Sequence, residues 1–319
     1  MTIITNTVRF PEEWKSETGR IGKSILVAGA EAFVAAGRQV PDPVYLVNCD
    51  PGLTFELARR SGARGPKLVS LDLVLREPKT WWRKLMLPRR KRLLKRVDHF
   101  LNYFRDTNGL ERVYGIDPQR CSYIPFKANL PIPAVEPNPG EGDYVLCFGR
   151  SLRDFDSFFE AMESIPHVPG AIAAPNPQAL REHGARFSRS VEALPKNVRC
   201  LPDDQTIGAQ VALLTGAAVV VLPVVRGSLV ASGISTALNA MLYGKCVIAS
   251  EGPGVSDIFT DEVLMTPLED ATALAECIEH AWIDGDARRA TAARGMARVR
   301  GWGGEKELYQ RIIDRLTSL

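Results

Sequence analysis

Residues 222–251, LPVVRGSLVASGISTALNAMLYGKCVIASE, contain the densest group of residues suited to binding an anion. A strand-like apolar run ends at Pro223, a loop with glycine and serine follows, and a helical pattern begins near Gly233. Glycine lets the backbone approach a ligand closely, and the free N–H groups at a helix N-terminus carry partial positive charge, which suits a diphosphate. The residues expected to bind it are Arg226, Ser232, Gly233, Ser235 and Thr236. The alternative is an ordinary helix start with Ser232 as its N-cap.

A second loop of the same kind is GRSLRD, residues 149–154, which also follows a strand-like run. Arg150, Ser151 and Arg153 would place two guanidinium groups and a hydroxyl at the carboxyl end of that strand, and guanidinium groups bind phosphate oxygens through paired hydrogen bonds. We expect Arg150 and Ser151 to bind a diphosphate, and Arg153 to act on it as a catalytic residue. The alternative is a solvated loop whose arginines pair with the neighbouring aspartates.

Strand-like and helix-like segments alternate along the chain, which is typical of an α/β fold. In the first half, strands are predicted at 3–8, 44–48, 67–72, 99–103 and 122–125. Helices are predicted there at 21–36, 54–60, 79–96 and 106–114. Prolines at 131, 133, 137 and 139 then interrupt the pattern, so residues 129–142 are predicted to form a linker.

The alternation resumes after the linker. Strands are predicted at 144–148, 170–173, 198–200, 218–222, 246–249 and 263–265. Helices are predicted at 155–164, 206–214, 233–243, 272–283, 287–298 and 305–319. The expected fold class is therefore α/β, with two Rossmann-like domains facing each other across a cleft. The expected domains are 1–135 and 140–302, with a C-terminal helix, 303–319, that packs back on the first domain.

Several segments occur in an order that resembles the retaining GT-B glycosyltransferases often called family 4. The segments of the second half are PKNVRCLPDD (195–204), AAVVVLPV (217–224), ALNAMLYGKCVIASEGPGVSDIF (237–259) and MTPLEDATALAECI (265–278). GRSLRDFDSFFEAM (149–162) resembles the family's phosphate loop, and YGIDPQRCSYIPFKAN (114–129) resembles its stretch before the interdomain linker. The likeness spans roughly residues 65–300.

This resemblance implies a nucleotide sugar, a UDP- or GDP-sugar, on the C-terminal domain and a glycan or lipid-linked acceptor on the N-terminal domain. It also implies retention of configuration. The family carries two glutamates eight positions apart, where this chain has Ala231 and Asn239. Asn239 can still hydrogen-bond a ribose hydroxyl. The first alternative is a catalytically silent GT-B protein that binds a nucleotide or glycan, or supports a partner enzyme. The second is another GT-B-fold enzyme, such as an epimerase.

In the first half, LVSLD (68–72) resembles the family strand that ends in a polar residue facing the acceptor, which makes Asp72 a candidate catalytic base. The alternative is an aspartate that caps a strand end or the turn before Pro78. Thr18, Gly19 and Gly22 lie at the start of the predicted helix at 21–36, where they would form either a glycine loop or a plain helix start.

Residues 79–96, KTWWRKLMLPRRKRLLKR, contain nine basic residues and no acidic one, interleaved with two tryptophans, leucine and methionine. A segment of this composition suits the surface of an anionic membrane. The alternative is a solvated helix whose tryptophans pack inward.

Composition narrows the remaining classes. The net charge of +3 and the lack of a nucleic-acid-binding module argue against a nucleic-acid partner. The six cysteines form no C-x-x-C pair, and no Asp-x-Asp motif follows an N-terminal strand, so no metal site and no cofactor are expected. The N-terminus lacks the apolar stretch of a signal peptide, so the protein is expected in the cytoplasm, alone or at the inner face of the membrane.

Overall fold

The computed structural model describes residues 1–60 and 65–319, with the backbone alone for Pro177. These residues form two compact units, Met1–Pro125 with Glu305–Leu319, and Phe126–Gly304. Each unit contains its own, largely parallel β-sheet.

The first unit contains seven strands among its described residues. They are β1 (Thr2–Thr5), β2 (Glu13–Lys15), β3 (Ile21–Leu26), β4 (Pro43–Asn48), β5 (Lys67–Leu71), β6 (His99–Asn102) and β7 (Cys121–Tyr123). Their order in the sheet is β2-β3-β1-β4-β5-β6-β7, and every pair except β2 with β3 is parallel. The helices that accompany these strands are α1 (Gly29–Gln39), α2 (Pro51–Arg60), α3 (Trp81–Leu85), α4 (Leu87–Leu94) and α5 (Asn108–Tyr114).

The prediction of a helix at 21–36 is wrong in its first part, because β2 and β3 form an antiparallel hairpin. Gly22 pairs with Trp14, and a Cβ at Gly22 would lie 2.1 Å from the Trp14 ring, so glycine is what lets the indole lie on the strand. Gly19 has a φ of +85° in the turn and donates its N–H to the carbonyl of Ser16. The glycines of this segment therefore shape a hairpin and do not begin a helix.

The basic segment is two helices, α3 and α4, although a single helix was predicted over 79–96. Pro88 lies in the first turn of α4, where its missing N–H costs no helical hydrogen bond. The same proline in the middle of one continuous helix would break an i→i−4 bond. The chain therefore ends one helix at Leu85 and starts the next at Leu87.

The second unit contains a six-stranded parallel sheet among its described residues. The strands are β8 (Tyr144–Cys147), β9 (Gly170–Ala173), β10 (Val198–Leu201), β11 (Ala217–Leu222), β12 (Cys246–Ser250) and β13 (Leu264–Thr266). The helices are α6 (Phe155–Ser164), α7 (Pro177–Glu182), α8 (Ile207–Gly216), α9 (Ile234–Leu242), α10 (Ala271–Ile283) and α11 (Gly285–Trp302). Apolar clusters cover both faces of the sheet, and every residue of β8, β11 and β12 is buried.

The strand order of this sheet is β10-β9-β8-β11-β12-β13, so the direction of winding reverses between β8 and β11. Chain connections leave these two neighbouring strands toward opposite sides, which opens a crevice at their carboxyl ends. The loops after β8 and β11 are the two loops that the sequence marks as anion-binding.

The proline-rich segment, predicted as a linker over 129–142, belongs by its contacts to the second unit. The backbone N–H of Gly140 donates to Gly244, and the Tyr243 hydroxyl donates to the carbonyl of Pro131. The buried Lys245 donates its Nζ to the carbonyl of Glu141 at 2.9 Å, and burial lowers its pKa to about 8. Because proline removes backbone donors, side chains of the second unit hold this stretch in place.

The last helix, α12 (Glu305–Ser318), belongs to the first unit. Its apolar face is buried through Ile312, Ile313 and Leu316. Asp314 accepts the N–H of Glu17 at 2.8 Å. Arg315 donates to the hydroxyl of Ser122 in β7, and Arg311 donates to the carbonyl of Pro125, which follows β7. The chain thus returns to its first unit after completing the second.

Candidate functional site

A pocket of about 340 Å³ lies at the carboxyl ends of β8 and β11, entirely within the second unit. Seven of the residues predicted from the sequence line it: Arg150, Ser151, Arg153, Gly233, Ser235, Thr236 and Asn239. They come from the loop after β8, from the loop after β11 and from α9. The strand order explains their meeting, since these elements flank the point at which the winding reverses.

Arg153 is a fully buried cation in this pocket, with a relative exposure of 1%. Two glycines with positive φ, Gly149 (+100°) and Gly233 (+98°), make room for it. A Cβ at Gly149 would come within 2.7 Å of Arg153 Nη2, and one at Gly233 within 3.0 Å. Glycine is therefore required on both sides by backbone conformation and by space.

The guanidinium of Arg153 has few partners. Nη1 donates to the carbonyl of Pro223 over a long 3.4 Å, and within the described part of the chain Nε has no partner. Burial lowers the pKa of Arg153 to about 10, so the group still carries its charge at neutral pH. An unpaired buried cation is costly unless an anion joins it.

The neighbouring Asp154 does not neutralise this charge. Its two carboxylate oxygens each accept a bond of 2.7 Å from Arg186, and they also accept the N–H and hydroxyl of Ser157. Asp154 is thereby the N-cap of α6 and one half of a bidentate ion pair. The alternative in which the arginines of this loop pair with the nearby aspartates does not apply to Arg153.

Helix α9 points its uncapped N-terminus at the same pocket. Gly233 is the N-cap and no side chain bonds to the first turn. The first helical bond runs from the N–H of Ala237 to the carbonyl of Gly233, so the N–H groups of the three preceding residues have no partner inside the helix. Ser235 and Thr236 also contribute hydroxyls to the pocket wall. These donors and Arg153 together suit a diphosphate.

Ser232 and Arg226 lie away from this arrangement. Ser232 precedes the N-cap and its hydroxyl contacts that of Ser228 at 2.8 Å, so it does not cap α9. It lines a separate cavity of about 40 Å³. Arg226 forms an exposed ion pair with Glu269 at 3.5 Å and its N–H donates to the same carboxylate. Neither residue is among those that line the main pocket.

Asn239 is buried on α9 and has a structural role that the sequence did not indicate. Its Oδ1 accepts the backbone N–H of Asn129 at 2.7 Å and of Leu130 at 3.2 Å. Because both donors are N–H groups, the atom that faces them must be the amide oxygen. The Nδ2 group is left as the donor that Asn239 can offer to the pocket.

The far end of the pocket was missed by sequence reasoning. Asn176 and His183 lie at the two ends of α7, and Gln205 follows β10 with a φ of +65°. Arg150 reaches across to this end, since its Nη1 donates to Gln205 Oε1 at 3.1 Å. The available signal was position alone, because these residues follow the carboxyl ends of β9 and β10.

Asp72 lies in the first unit, directly after β5, with a φ of +48°. The Sγ of Cys49, directly after the neighbouring strand β4, donates to Asp72 Oδ2 at 3.2 Å. Burial raises the pKa of Asp72 to about 6, and the bond from Cys49 partly opposes that rise. The Asp72 N–H donates to the carbonyl of Leu101, so the backbone fixes this strained residue in place. Its carboxylate therefore takes up a proton as the pH falls through about 6.

Metal and membrane-spanning features were searched in the described residues. Residues 1–60 and 65–319 contain no group of three or more His, Cys, Asp or Glu side chains arranged to hold a metal ion. No helix within these ranges is both long and apolar enough to cross a bilayer.

No protein-family model matches this sequence, and no curated protein matches it significantly. Solved structures do match. HepE of Anabaena, in complex with UDP, is 13% identical with a TM-score of 0.67, over 93% of this chain and 86% of that one. Sucrose-phosphate synthase of Thermosynechococcus elongatus is 16% identical with a TM-score of 0.66, over 100% and 88% of the two chains. An α,α-trehalose 6-phosphate synthase of Burkholderia multivorans is 15% identical with a TM-score of 0.62, over 91% and 74%.

At these identities the likeness shows the fold. The prediction of two Rossmann-like α/β domains of the GT-B class is confirmed, because the matching chains are GT-B glycosyltransferases and both sheets are largely parallel.

Proposed function

We propose that this chain is a glycosyltransferase that moves a sugar from a nucleoside diphosphate sugar, a UDP- or GDP-sugar, to a glycan or lipid-linked acceptor. One observation carries the proposal: Arg153 is a buried, unneutralised cation beside the uncapped N-terminus of α9. Two independent sources of positive potential thus converge on one pocket of the size that binds small ligands.

The proposed chemistry follows from where charge develops. When the bond between the anomeric carbon and the diphosphate oxygen breaks, negative charge grows on the leaving diphosphate. Arg153, with Arg150, Ser151 and the N–H groups of α9, would stabilise that charge in a site from which water is partly excluded. The acceptor hydroxyl oxygen forms the new bond to the anomeric carbon, and Asp72 of the first unit would take its proton. We propose that no metal is needed, because the fixed cations supply the neutralisation, and that the configuration is retained.

The structural neighbours favour a uridine nucleotide as the donor. The HepE structures contain UDP or UDP-glucose, and HepE shares the fold of this chain. The far end of the pocket, with Asn176, His183 and Gln205, is where the base of such a nucleotide would fit. In this proposal Asn239 would donate its Nδ2 to a ribose hydroxyl.

The proposal includes attachment of residues 79–96 to a membrane that would carry a lipid-linked acceptor. Trp81 is 77% exposed and Trp82 is 47% exposed, so neither tryptophan is used to fill the core of the first unit. With nine cations in residues 79–96, this surface suits peripheral attachment to an anionic membrane from the cytoplasmic side.

A second candidate function is a catalytically silent GT-B protein that binds a nucleotide or glycan or supports a partner enzyme. The observation that favours it lies around Ala231, where the resembling family carries a glutamate. A Cβ at Gly254 would come within 2.3 Å of the Ala231 side chain, so the loop at 252–254 packs directly onto the position. Neither Ala231 nor this glycine loop offers a carboxylate to a donor sugar.

The test of the proposal is binding followed by turnover. Calorimetric titration with UDP, GDP and ADP should reveal one nucleotide that binds, and the matching sugar nucleotide should be hydrolysed slowly to free nucleoside diphosphate without metal. Binding with no hydrolysis and no transfer to any acceptor would favour the silent protein. The absence of binding by every nucleoside diphosphate would refute the proposed transferase.

A further inference from the structure

Two neighbouring strands of the first unit are each followed by a residue with a left-handed backbone. Cys49, directly after β4, has a φ of +51°, and Asp72, directly after β5, has a φ of +48°. Neither residue is a glycine, so each conformation costs free energy and persists only where the surroundings hold it. The pairing of Asn48 with Leu71 in the sheet places Cys49 and Asp72 side by side at the carboxyl ends of these strands.

The sheet fixes the backbone of both residues. The N–H of Cys49 donates to the carbonyl of Leu71 at 3.0 Å, and the N–H of Asp72 donates to the carbonyl of Leu101 at 2.8 Å. Each residue therefore continues the hydrogen bonding of its strand through its N–H and then turns out of the sheet. The two side chains meet at this turn, with Sγ of Cys49 3.2 Å from Oδ2 of Asp72.

The two carboxylate oxygens of Asp72 have different surroundings. Over residues 1–60 and 65–319, the thiol of Cys49 is the only donor that reaches this carboxylate, and it donates to Oδ2. Oδ1 has no hydrogen-bond partner in that part of the chain, yet it is not fully buried, so a hydroxyl from outside can reach it. One oxygen is held by the protein, and the other is left to accept a proton.

The titratable groups around this carboxylate come from three elements. Desolvation of the thiol and then the charge of Asp72 raise the pKa of Cys49 well above its ordinary value, so the thiol keeps its proton and acts as a donor. Burial raises the pKa of Tyr103, which follows β6, so this neighbour of Asp72 and Cys49 stays uncharged. Tyr309 and Arg311 of α12 also act on Tyr103.

We propose that Cys49 is a positioning residue, which binds Oδ2 of Asp72, directs Oδ1 to the acceptor hydroxyl and favours the ionised carboxylate that takes the hydroxyl proton. A hydrogen bond to the charged form of an acid stabilises that form, and a thiol does so more weakly than a hydroxyl. The role in sugar transfer rests on the proposed function, whereas the hold on the carboxylate does not.

The first experiment measures the pKa of Asp72 without nucleotide or acceptor, by carboxyl carbon NMR of aspartate-labelled protein, with Asp72→Asn to identify the resonance. Cys49→Ala removes the donor and should raise the pKa of Asp72 by about 0.5 or more, whereas Cys49→Ser keeps a donor and should restore the wild-type value. The matched control is Cys121→Ala, which removes a thiol of the same unit that contacts the carbonyl of Asp117. It should leave the pKa of Asp72 unchanged.

The second experiment measures the rate of transfer as a function of pH. The loss of rate in Cys49→Ala should be largest below about pH 6 and should shrink as the pH rises, because more of the carboxylate is protonated at low pH in this variant. Cys49→Ser should follow the wild-type profile. Cys49→Gly also removes the donor and suits the φ of +51°, so it replaces the alanine variant if that variant unfolds at lower temperature than the wild type.

The two measurements separate a failure of this inference from a failure of the proposed function. If the pKa of Asp72 rises in Cys49→Ala but the wild type transfers no sugar, Cys49 holds the carboxylate and the proposed transferase fails. If the wild type transfers sugar while the pKa of Asp72 is the same with cysteine, serine and alanine at position 49, the transferase stands and the positioning role is overturned. A loss of rate that is equal at every pH and is not restored by serine would also overturn it.

Discussion

Gly149 packs directly against the guanidinium of Arg153: a Cβ on Gly149 would lie 2.7 Å from Nη2 and 3.3 Å from Nε of Arg153. The φ of +100° at Gly149 carries the chain over the guanidinium, which is then shut off from solvent almost completely. A loop built this way keeps a cation unpaired inside the protein, at a cost to stability. An anionic ligand that pairs with the guanidinium would offset this cost.

We expect Arg153→Met to weaken nucleoside diphosphate binding by about tenfold or more, since hydrogen bonds to charged groups contribute about 1.5–3 kcal/mol. The unliganded variant should be at least as stable as the wild type, because methionine fills similar volume without a buried charge. Calorimetric titration with the preferred nucleotide and thermal unfolding with and without it measure both effects. Affinity within about twofold of wild type would mean that the diphosphate binds elsewhere.

The matched control is Arg226→Met, which removes an exposed arginine of the same unit that is paired with Glu269. It should leave affinity unchanged. Gly149→Ala should weaken binding by displacing the guanidinium, and its effect should largely vanish in the Arg153→Met background, as expected for residues that act through one another.

The sequence predicts part of this pocket and misses the rest, because some of its residues have a local sequence signal and others depend on tertiary contacts. Gly149 and Gly233 could be identified from the sequence because their φ values favour glycine, and Arg153 follows Gly149 shortly after a buried strand. Arg226 also follows a buried strand next to a glycine, yet it forms an ion pair with Glu269, which is distant in the sequence. Pairing between residues 43 positions apart is a tertiary fact that a local pattern does not contain.

The strands of both sheets show the same division. Apolar runs such as AAVVVL are predicted within a residue, because complete burial leaves a clear signature. Strand β3 has no buried residue, and its residues were predicted as the start of a helix. Its strand character comes from Trp14 lying on Gly22, a contact between residues eight apart that composition does not reveal.

Asn239→Asp should keep the fold and weaken donor binding. The carboxylate can still accept the N–H groups of Asn129 and Leu130, so the stability should change little. It no longer offers Nδ2 to a ribose hydroxyl, and it adds negative charge near the diphosphate, so we expect a loss of about fivefold or more in affinity. Titration of the variant and of Asn239→Gln with the preferred nucleotide measures the effect. Wild-type affinity in the folded aspartate variant would rule out this contact.

Asn239→Leu answers a different question. It leaves the N–H groups of residues 129 and 130 without an acceptor, each at a cost of about 1–3 kcal/mol. The leucine variant should therefore be less stable than the wild type. Lower thermal stability in Asn239→Leu, but not in Asn239→Asp, would establish that Asn239 fastens the proline-rich segment.

Asp72→Asn should raise stability and slow transfer strongly. The pKa of Asp72 is raised to about 6 in the folded protein, above its ordinary 3.8, so the folded state loses stability as the pH rises from 4 through 6. Asparagine removes that titration, so the variant should be more stable than wild type by about 3 kcal/mol at pH 7.5, with the advantage nearly gone at pH 4. Denaturant unfolding at both pH values is the measurement.

Transfer by the wild type should fall as the pH drops below about 6, because the base must be ionised. The asparagine variant should be slower by about a hundredfold or more and should lose this pH dependence. Cys49→Ser keeps a donor to Asp72 and is the matched control, expected to retain most activity. Full activity in Asp72→Asn would exclude Asp72 as the base.

The surface of residues 79–96 should bring the protein to anionic bilayers by charge and by apolar contact together. Its nine cations contribute about 1 kcal/mol each when close to an anionic surface, so even half of them give measurable binding. Vesicle co-sedimentation should therefore be strong at low salt with anionic lipid. It should fade by 1 M salt, as the Debye length falls from about 10 Å to about 3 Å.

Trp81 and Leu85 test the apolar contribution separately, since their side chains are 77% and 71% exposed. Trp81→Ser with Leu85→Ser keeps every charge, yet it should reduce binding severalfold because both side chains enter the interface. Ile21→Ser, which removes an equally exposed apolar side chain of β3 (75%), is the control and should bind as wild type. Should the wild type stay in the supernatant at low salt, or sediment equally with neutral vesicles, residues 79–96 are a solvated pair of helices and the acceptor is met in solution.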